Sequence, residues 1–134
     1  MSKNILLLCH NNSALSIVAE AVLGKYLQGV HTTSAAFSKV KPIEPAIKKA
    51  LQRDGSWSDT FESTELLEAL QHSYDLVIIL SKISKKQTPE FDENSIVIQI
   101  EYEEPDYKNS SEIERFIKTI KMELIPITRD VLDL

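Results

Sequence analysis

The sequence predicts an α/β fold: a three-layer α/β/α sandwich built on a four-stranded parallel sheet. Three observations carry that prediction. Residues 5–8 (Ile-Leu-Leu-Leu) and 76–80 (Leu-Val-Ile-Ile-Leu) are apolar at every position, the mark of strands covered on both faces. Between and after them lie stretches whose apolar residues recur at three- and four-residue spacing, as on one face of a helix. The two patterns alternate, and parallel strands joined by right-handed helical crossovers are what such alternation builds.

Composition narrows the rest. The chain has 134 residues, 43% hydrophobic and 26% charged, which suits one domain over residues 1–134 with a real core. A net charge of −5 offers no basic surface, so neither nucleic acid nor a membrane is expected as a partner. Lysines gather at Lys82, Lys85 and Lys86 and at Lys39 and Lys41, and both groups read as solvated loops. A single cysteine excludes an internal disulfide and a multi-thiolate metal site. His10, His31 and His72 lack metal-ligand spacing, so no metal or other cofactor is expected. No apolar run approaches a membrane span and no secretory signal is expected ahead of the first strand, which predicts a cytoplasmic protein.

Taken in order, the first strand ends in Cys9, and a polar loop follows. Ser16 is the expected cap of a helix running to about residue 28, with Ile17, Val18, Ala21 and Val22 inward and Gly29 ending it. Residues 30–36 form a second strand. Pro42 and Pro45 introduce a helix over 44–54, since prolines suit a first turn whose N–H groups lack intrahelical partners, and Gly55 stops it. A third helix over 64–72 presents Leu66, Leu67 and Leu70. Residues 76–80 are the third strand, 81–94 a polar segment with room for a short helix, and 96–100 the fourth strand. After an acidic loop over 101–110, Ser111 and Glu114 make a capping-box pattern for a last helix. Ile113, Phe116, Ile117, Ile120, Leu124, Ile127 and Val131 form its apolar stripe, and Pro126 is expected to kink or interrupt it near 122–126.

Sites in parallel sheets form beyond the carboxyl ends of the strands, which sets the loops after Cys9, Leu80 and Ile100 on one rim. The Cys9 loop leads from a buried strand to a helix N-terminus, where exposed N–H groups bind anions and the dipole favours a thiolate. In an arbitrary protein, Cys9 would sooner be a small buried hydrophobe at a strand end.

With these loops in place, the chain resembles the low-molecular-weight protein tyrosine phosphatase and arsenate reductase superfamily. That family opens with a strand leading into Cys-x5-Arg-Ser, often Cys-x-Gly-Asn-x-Cys-Arg-Ser, then a helix with an Ala-Glu-Ala-like segment. The matches here are Cys9, Asn12, Ser16 and Ala19-Glu20-Ala21. Thr33-Ser34-Ala35, residues 42–55, Tyr74-Asp75-Leu76-Val77 and Glu104-Pro105 extend the resemblance over nearly the whole chain. It implies a low-molecular-weight phosphatase-like fold, with an anion-binding loop of His10, Asn11, Asn12, Ser13, Ala14, Leu15 and Ser16. It further implies Cys9 as nucleophile and Glu104 as general acid.

The sequence departs from the pattern where chemistry depends on it. Leu15 stands at the arginine position, where a guanidinium would fork two N–H groups onto phosphate or arsenate oxygens. Asn11 replaces the loop glycine, and asparagine tolerates a positive φ. Glu104 is one methylene longer than the aspartate it replaces, and Glu103, Glu104 and Asp106 read equally as a solvated acidic turn. Ala14 occupies the place of a loop cysteine and Ser81 lies near that of a later one, so no internal disulfide cascade can run. His10 reads as a solvent-facing loop residue or a stabiliser of the thiolate. Asn12 and Ser16 brace the loop and cap the helix or contact ligand, and Tyr107 flanks substrate or packs.

The functional expectation is a catalytically impaired member with a vestigial anion-binding loop, taking a phosphate-like anion, a phosphorylated ligand or a protein partner. An active cysteine-dependent phosphatase is the alternative, using Cys9 and Glu104. A phosphocysteine carrier, which has a cysteine-led loop without arginine, and a redox-sensing thiol are further readings.

Overall fold

The strand that carries the cysteine lies inside the sheet. In a computed structural model that describes residues 2–83 and 88–134, β1 (Lys3–Cys9) pairs in parallel with β2 (Val30–Ala36) on one side. On its other side it pairs in parallel with β3 (Leu76–Ile79), which in turn pairs with the edge strand β4 (Ile96–Gln99). The order is β2-β1-β3-β4. The chain moves outward from β1 to β2, then crosses back over β1 to reach β3. The carboxyl end of β1, where Cys9 sits, is therefore a topological switch point, the place where parallel sheets open a crevice for ligands.

Side-chain alternation along β1 divides the core. Ile5, Leu7 and Cys9 join the larger cluster with α1 (Leu15–Tyr26), α2 (Pro45–Asp54) and α4 (Ser110–Leu132). Leu6 and Leu8 face a smaller cluster with Ala35, Val77 and Ile79, covered by Ala69 of α3 (Leu66–Ala69), Tyr74, Phe37 and Phe91. Residues 5–8 and 76–79 are buried throughout, as strands covered on both faces must be. Pro45 opens α2, and Gly55 closes it at φ 79° with its N–H on Gln52 and Leu51 carbonyls.

Several expectations need correction. α1 begins at Leu15 after Ala14, with no side-chain cap, because the Ser16 hydroxyl lies inside the first turn and is engaged elsewhere. The third helix shrinks to one turn because residues 64 and 65 are held extended. Thr64 accepts from Ala36 N at 2.8 Å, and Glu65 bridges to Ala36 at the end of β2. Leu67, expected on an apolar helix face, is 78% exposed. Asn109, not Ser111, caps α4 by accepting from Glu112 N at 3.2 Å, and the helix then runs without interruption through Pro126. Of the polar segment 81–94, the described residues form no helix; Lys85 and Lys86 lie outside the described residues.

Candidate functional site

Cys9 ends β1 at 4% exposure, and the loop that follows is braced mostly through its own backbone. The Cys9 and His10 carbonyls accept from Phe37 N and Ser38 N, the Asn11 carbonyl from Lys41 N, and the Ser13 carbonyl from Glu44 N, all at 3.0–3.1 Å. The Ala14 carbonyl takes Val18 N at 2.9 Å as the first helical bond. The segment after β2 is thus stitched to the cysteine loop along its length. His10 is exposed and tilts against Phe37 with ring centroids 4.6 Å apart, while Asn11 Nδ2 donates to the Lys39 carbonyl at 2.6 Å.

The residue with the left-handed backbone is Asn12, at φ 52°, and not its neighbour Asn11. Asn12 is fully buried and its side chain is the hub of the site. Its Oδ1 accepts from Thr64 N at 2.7 Å, and its Nδ2 donates to Ser16 Oγ at 2.7 Å and Ser34 Oγ at 2.9 Å. Ser63 Oγ donates to the Asn12 carbonyl at 2.8 Å. Ser16 Oγ in turn lies 3.0 Å from Cys9 Sγ, and Ser34 Oγ donates to Glu20 Oε1 at 2.5 Å. Burial pushes the Glu20 carboxyl up to about 7 against the lowering effect of that hydrogen bond.

Leu15, the first residue of α1, is a core residue, 3% exposed among the apolar side chains of the larger cluster. It brings neither charge nor donor to the loop. Ala14 and Ser13 are buried beside it. Across the rim, Tyr102 N and Ile100 N reach the Leu80 and Ile79 carbonyls at 3.0 and 2.9 Å, which directs the acidic loop back over the site. Glu104 is exposed and Pro105 buried. Tyr107 packs on the larger cluster, and its buried hydroxyl meets no partner at hydrogen-bonding geometry among the described residues. Burial, then the carboxylates of Glu104 and Glu44 and the Cys9 sulfur, raise its phenol well above the ordinary value. The structure thus gathers Cys9, the loop 10–16, Tyr107 and Glu104, and adds Glu20, Ser34, Glu44, Ser63 and Thr64, which had no assigned part. Glu20 was legible from its spacing: four residues after Ser16, it lies on the same helix face. Ser34, Ser63 and Thr64 are distant in sequence and carry no local signal.

A family model described as low molecular weight phosphotyrosine protein phosphatase matches residues 4–131. No curated protein sequence matches the chain. Among solved structures, one described as an arsenate reductase in the phosphate binding state superposes with a TM-score of 0.82 at 19% identity, over 96% of this chain and 98% of that one. A low molecular weight protein tyrosine phosphatase from Bacillus subtilis gives 0.79 at 18% identity, over 97% of each chain. Vibrio vulnificus Wzb in complex with benzylphosphonate gives 0.70 at 17% identity, over 91% of this chain and 94% of that one. At these identities the likeness is one of fold.

Proposed function

The chain belongs to the low molecular weight phosphotyrosine protein phosphatase family, and from that premise we propose that it is a catalytically impaired member whose Cys9 loop is a vestigial oxyanion site. The observation that carries this reading is the burial of Leu15 at 3% exposure where the resemblance calls for arginine. Arginines that stabilise phosphoryl-transfer transition states are worth on the order of 10³–10⁵ in rate in other enzyme classes. The backbone amides of residues 10–16 and the α1 dipole remain to attract an anion, but they lack the bidentate fork. Arg53 points elsewhere, 3.7 Å from Glu114 between α2 and α4. Glu104 and Glu44, both acting on Tyr107, oppose a dianion at the mouth.

The ligand class is a phosphate-like oxyanion or phosphorylated group, a choice supported by the phosphate and benzylphosphonate states named for two structural neighbours. In this reading Cys9 keeps the nucleophile's seat, Glu104 the acid's, residues 1–134 form one cytoplasmic domain, and the biological role is binding, including to a protein partner. A second reading, an active phosphatase using Cys9 and Glu104, draws support from the intact bracing of the loop by Asn12. A redox-sensing thiol needs an exposed sulfur, and Cys9 at 4% exposure argues against it.

Titration with inorganic phosphate, followed by amide NMR of residues 10–16, tests the binding half. Shifts confined to that loop, without p-nitrophenyl phosphate turnover, are expected. Turnover abolished by Cys9→Ser would overturn the impairment.

A further inference from the structure

β4 leaves one flank of the sheet open. Ile96 N and Ile100 N donate to the Asp75 and Ile79 carbonyls at 3.0 and 2.9 Å, so the even-numbered residues here spend their backbone groups on β3. Backbone groups alternate in direction along a strand, which turns the N–H and C=O groups of Val97 and Gln99 outward. Among the described residues nothing pairs with them. The opposite edge is closed at its carboxyl end, where Ala36 N donates to the Thr64 carbonyl at 2.8 Å and Ala36 bridges to Glu65.

Edge strands are ordinarily protected by charge, proline, a bulge or a covering segment. Residues 95–100 (Ser-Ile-Val-Ile-Gln-Ile) contain neither charge nor proline. Ile96 and Val97 are 44% and 42% exposed. Charge lies instead at the two ends: Asp92 and Glu93 precede the strand and Glu101 follows it, all exposed. Past Glu101, a cavity of about 320 Å³ between residues 102–105 and α4 is walled by Glu103, Glu104 and Glu112, with Tyr102 and Phe116 as its apolar part. The cations set against these carboxylates are Arg115 in the cavity wall and Lys82, one residue past the Ser81 carbonyl that takes Gln99 Nε2 at 3.3 Å.

We propose that β4 is a docking edge for an extended peptide segment of a partner protein, apolar and β-branched at its centre and carrying Lys or Arg at both ends. The outward groups of Val97 and Gln99 supply main-chain hydrogen bonds to the added strand, whatever its side chains. Selectivity comes from the flanks. β-branched residues of the peptide cover the exposed faces of Ile96 and Val97, and its cations meet Asp92 and Glu93 at one end and Glu101 and the acidic cavity at the other. A second copy of this chain fits less well, because it brings the same acidic ends and another net charge of −5. The edge lies two strands from Cys9, so its role does not rest on whether the loop retains turnover.

The test titrates the isotope-labelled protein with the end-blocked peptide Lys-Lys-Val-Thr-Val-Thr-Val-Lys-Lys, and with the same peptide carrying glutamate for lysine. Amide NMR shifts and slowed hydrogen exchange centred on Val97, Gln99 and Glu101 are expected with the lysine peptide. The glutamate peptide is expected to bind about tenfold more weakly or worse. Val97→Pro, which removes an outward N–H and no bond to β3, is expected to weaken the lysine peptide about tenfold. The double variant Glu93→Lys, Glu101→Lys changes only exposed side chains and serves if the proline variant does not fold; it is expected to reverse the preference between the peptides. No binding, equal binding of both peptides, shifts centred away from β4, or undiminished binding in Val97→Pro would overturn the docking edge. So would dimerisation of the protein alone, followed by sedimentation and abolished in Val97→Pro, since that gives the edge to a second copy.

Discussion

Asn12 Nδ2 donates to Ser16 Oγ over 2.7 Å, from a fully buried asparagine whose backbone is held at φ 52°. This contact joins the loop to the first turn of α1 and orients the hydroxyl beside Cys9. It also explains why Ser16 is not a helix cap: its oxygen is already committed inward.

Asn12→Ala should be the most damaging single change in the loop. It strands Thr64 N, Ser16 and Ser34, and it forces alanine into a left-handed backbone that costs about 1–2 kcal/mol. Urea denaturation should show a loss of about 3–5 kcal/mol in total. Asn12→Gly should lose less, by the strain that glycine does not incur.

Leu15→Ala should destabilise the fold by about 2–5 kcal/mol, the usual range for a buried leucine truncated in a packed core. The measurement is again denaturant unfolding. A loss under about 1 kcal/mol, the level of a surface change, would mean that Leu15 is not a packed core residue.

The raised Glu20 carboxyl predicts a pH dependence of stability. Its value rises from 4.5 to about 7 on folding, so the native state holds this proton where the unfolded chain has released it. Stability should therefore fall as pH rises from 4.5 toward 7 and level off above, by on the order of 3 kcal/mol in all. Glu20→Gln should flatten that slope when unfolding is compared at several pH values.

Asp54 staples three helices. It forms an ion pair with Lys121 of α4, accepts from Tyr26 OH of α1 at 3.2 Å, and its carbonyl takes Lys25 Nζ at 2.6 Å. Burial alone would raise its carboxyl, but the hydrogen bond and charge of Lys121, with the hydrogen bond from Tyr26, outweigh that and hold it below its usual 3.8. The stabilisation is therefore present above 3.8 and is lost as pH falls through the lower folded value. Asp54→Asn should cost about 1 kcal/mol near neutrality, modest because the pair is partly solvated, and the difference from wild type should close in strong acid.

Much of this molecule is legible in its sequence, for identifiable reasons. Continuous apolar runs mark β1 and β3, and the switch point follows once the alternation of elements is read as parallel. The last helix announces its buried stripe by periodicity. The misreadings share one cause, that tertiary partners override local signals. Ser16 has a cap's chemistry but is drawn to Cys9 and Asn12; residues 64–65 follow a helical pattern but are pulled straight by Asn12 and Ala36. Asn11 and Asn12 both suit a positive φ, and only the buried contacts of Asn12 decide between them. The Glu20–Ser34 bond joins two elements whose pairing appears only once α1 is laid on β2.

The central claim is that burying Leu15 in place of arginine removes turnover while leaving the cysteine loop in shape. Steady-state hydrolysis of p-nitrophenyl phosphate by wild-type and Cys9→Ser protein tests it most directly. The account predicts that the two are indistinguishable. Wild-type turnover at ordinary enzyme rates, about 1–10³ s⁻¹, that disappears in Cys9→Ser would contradict it.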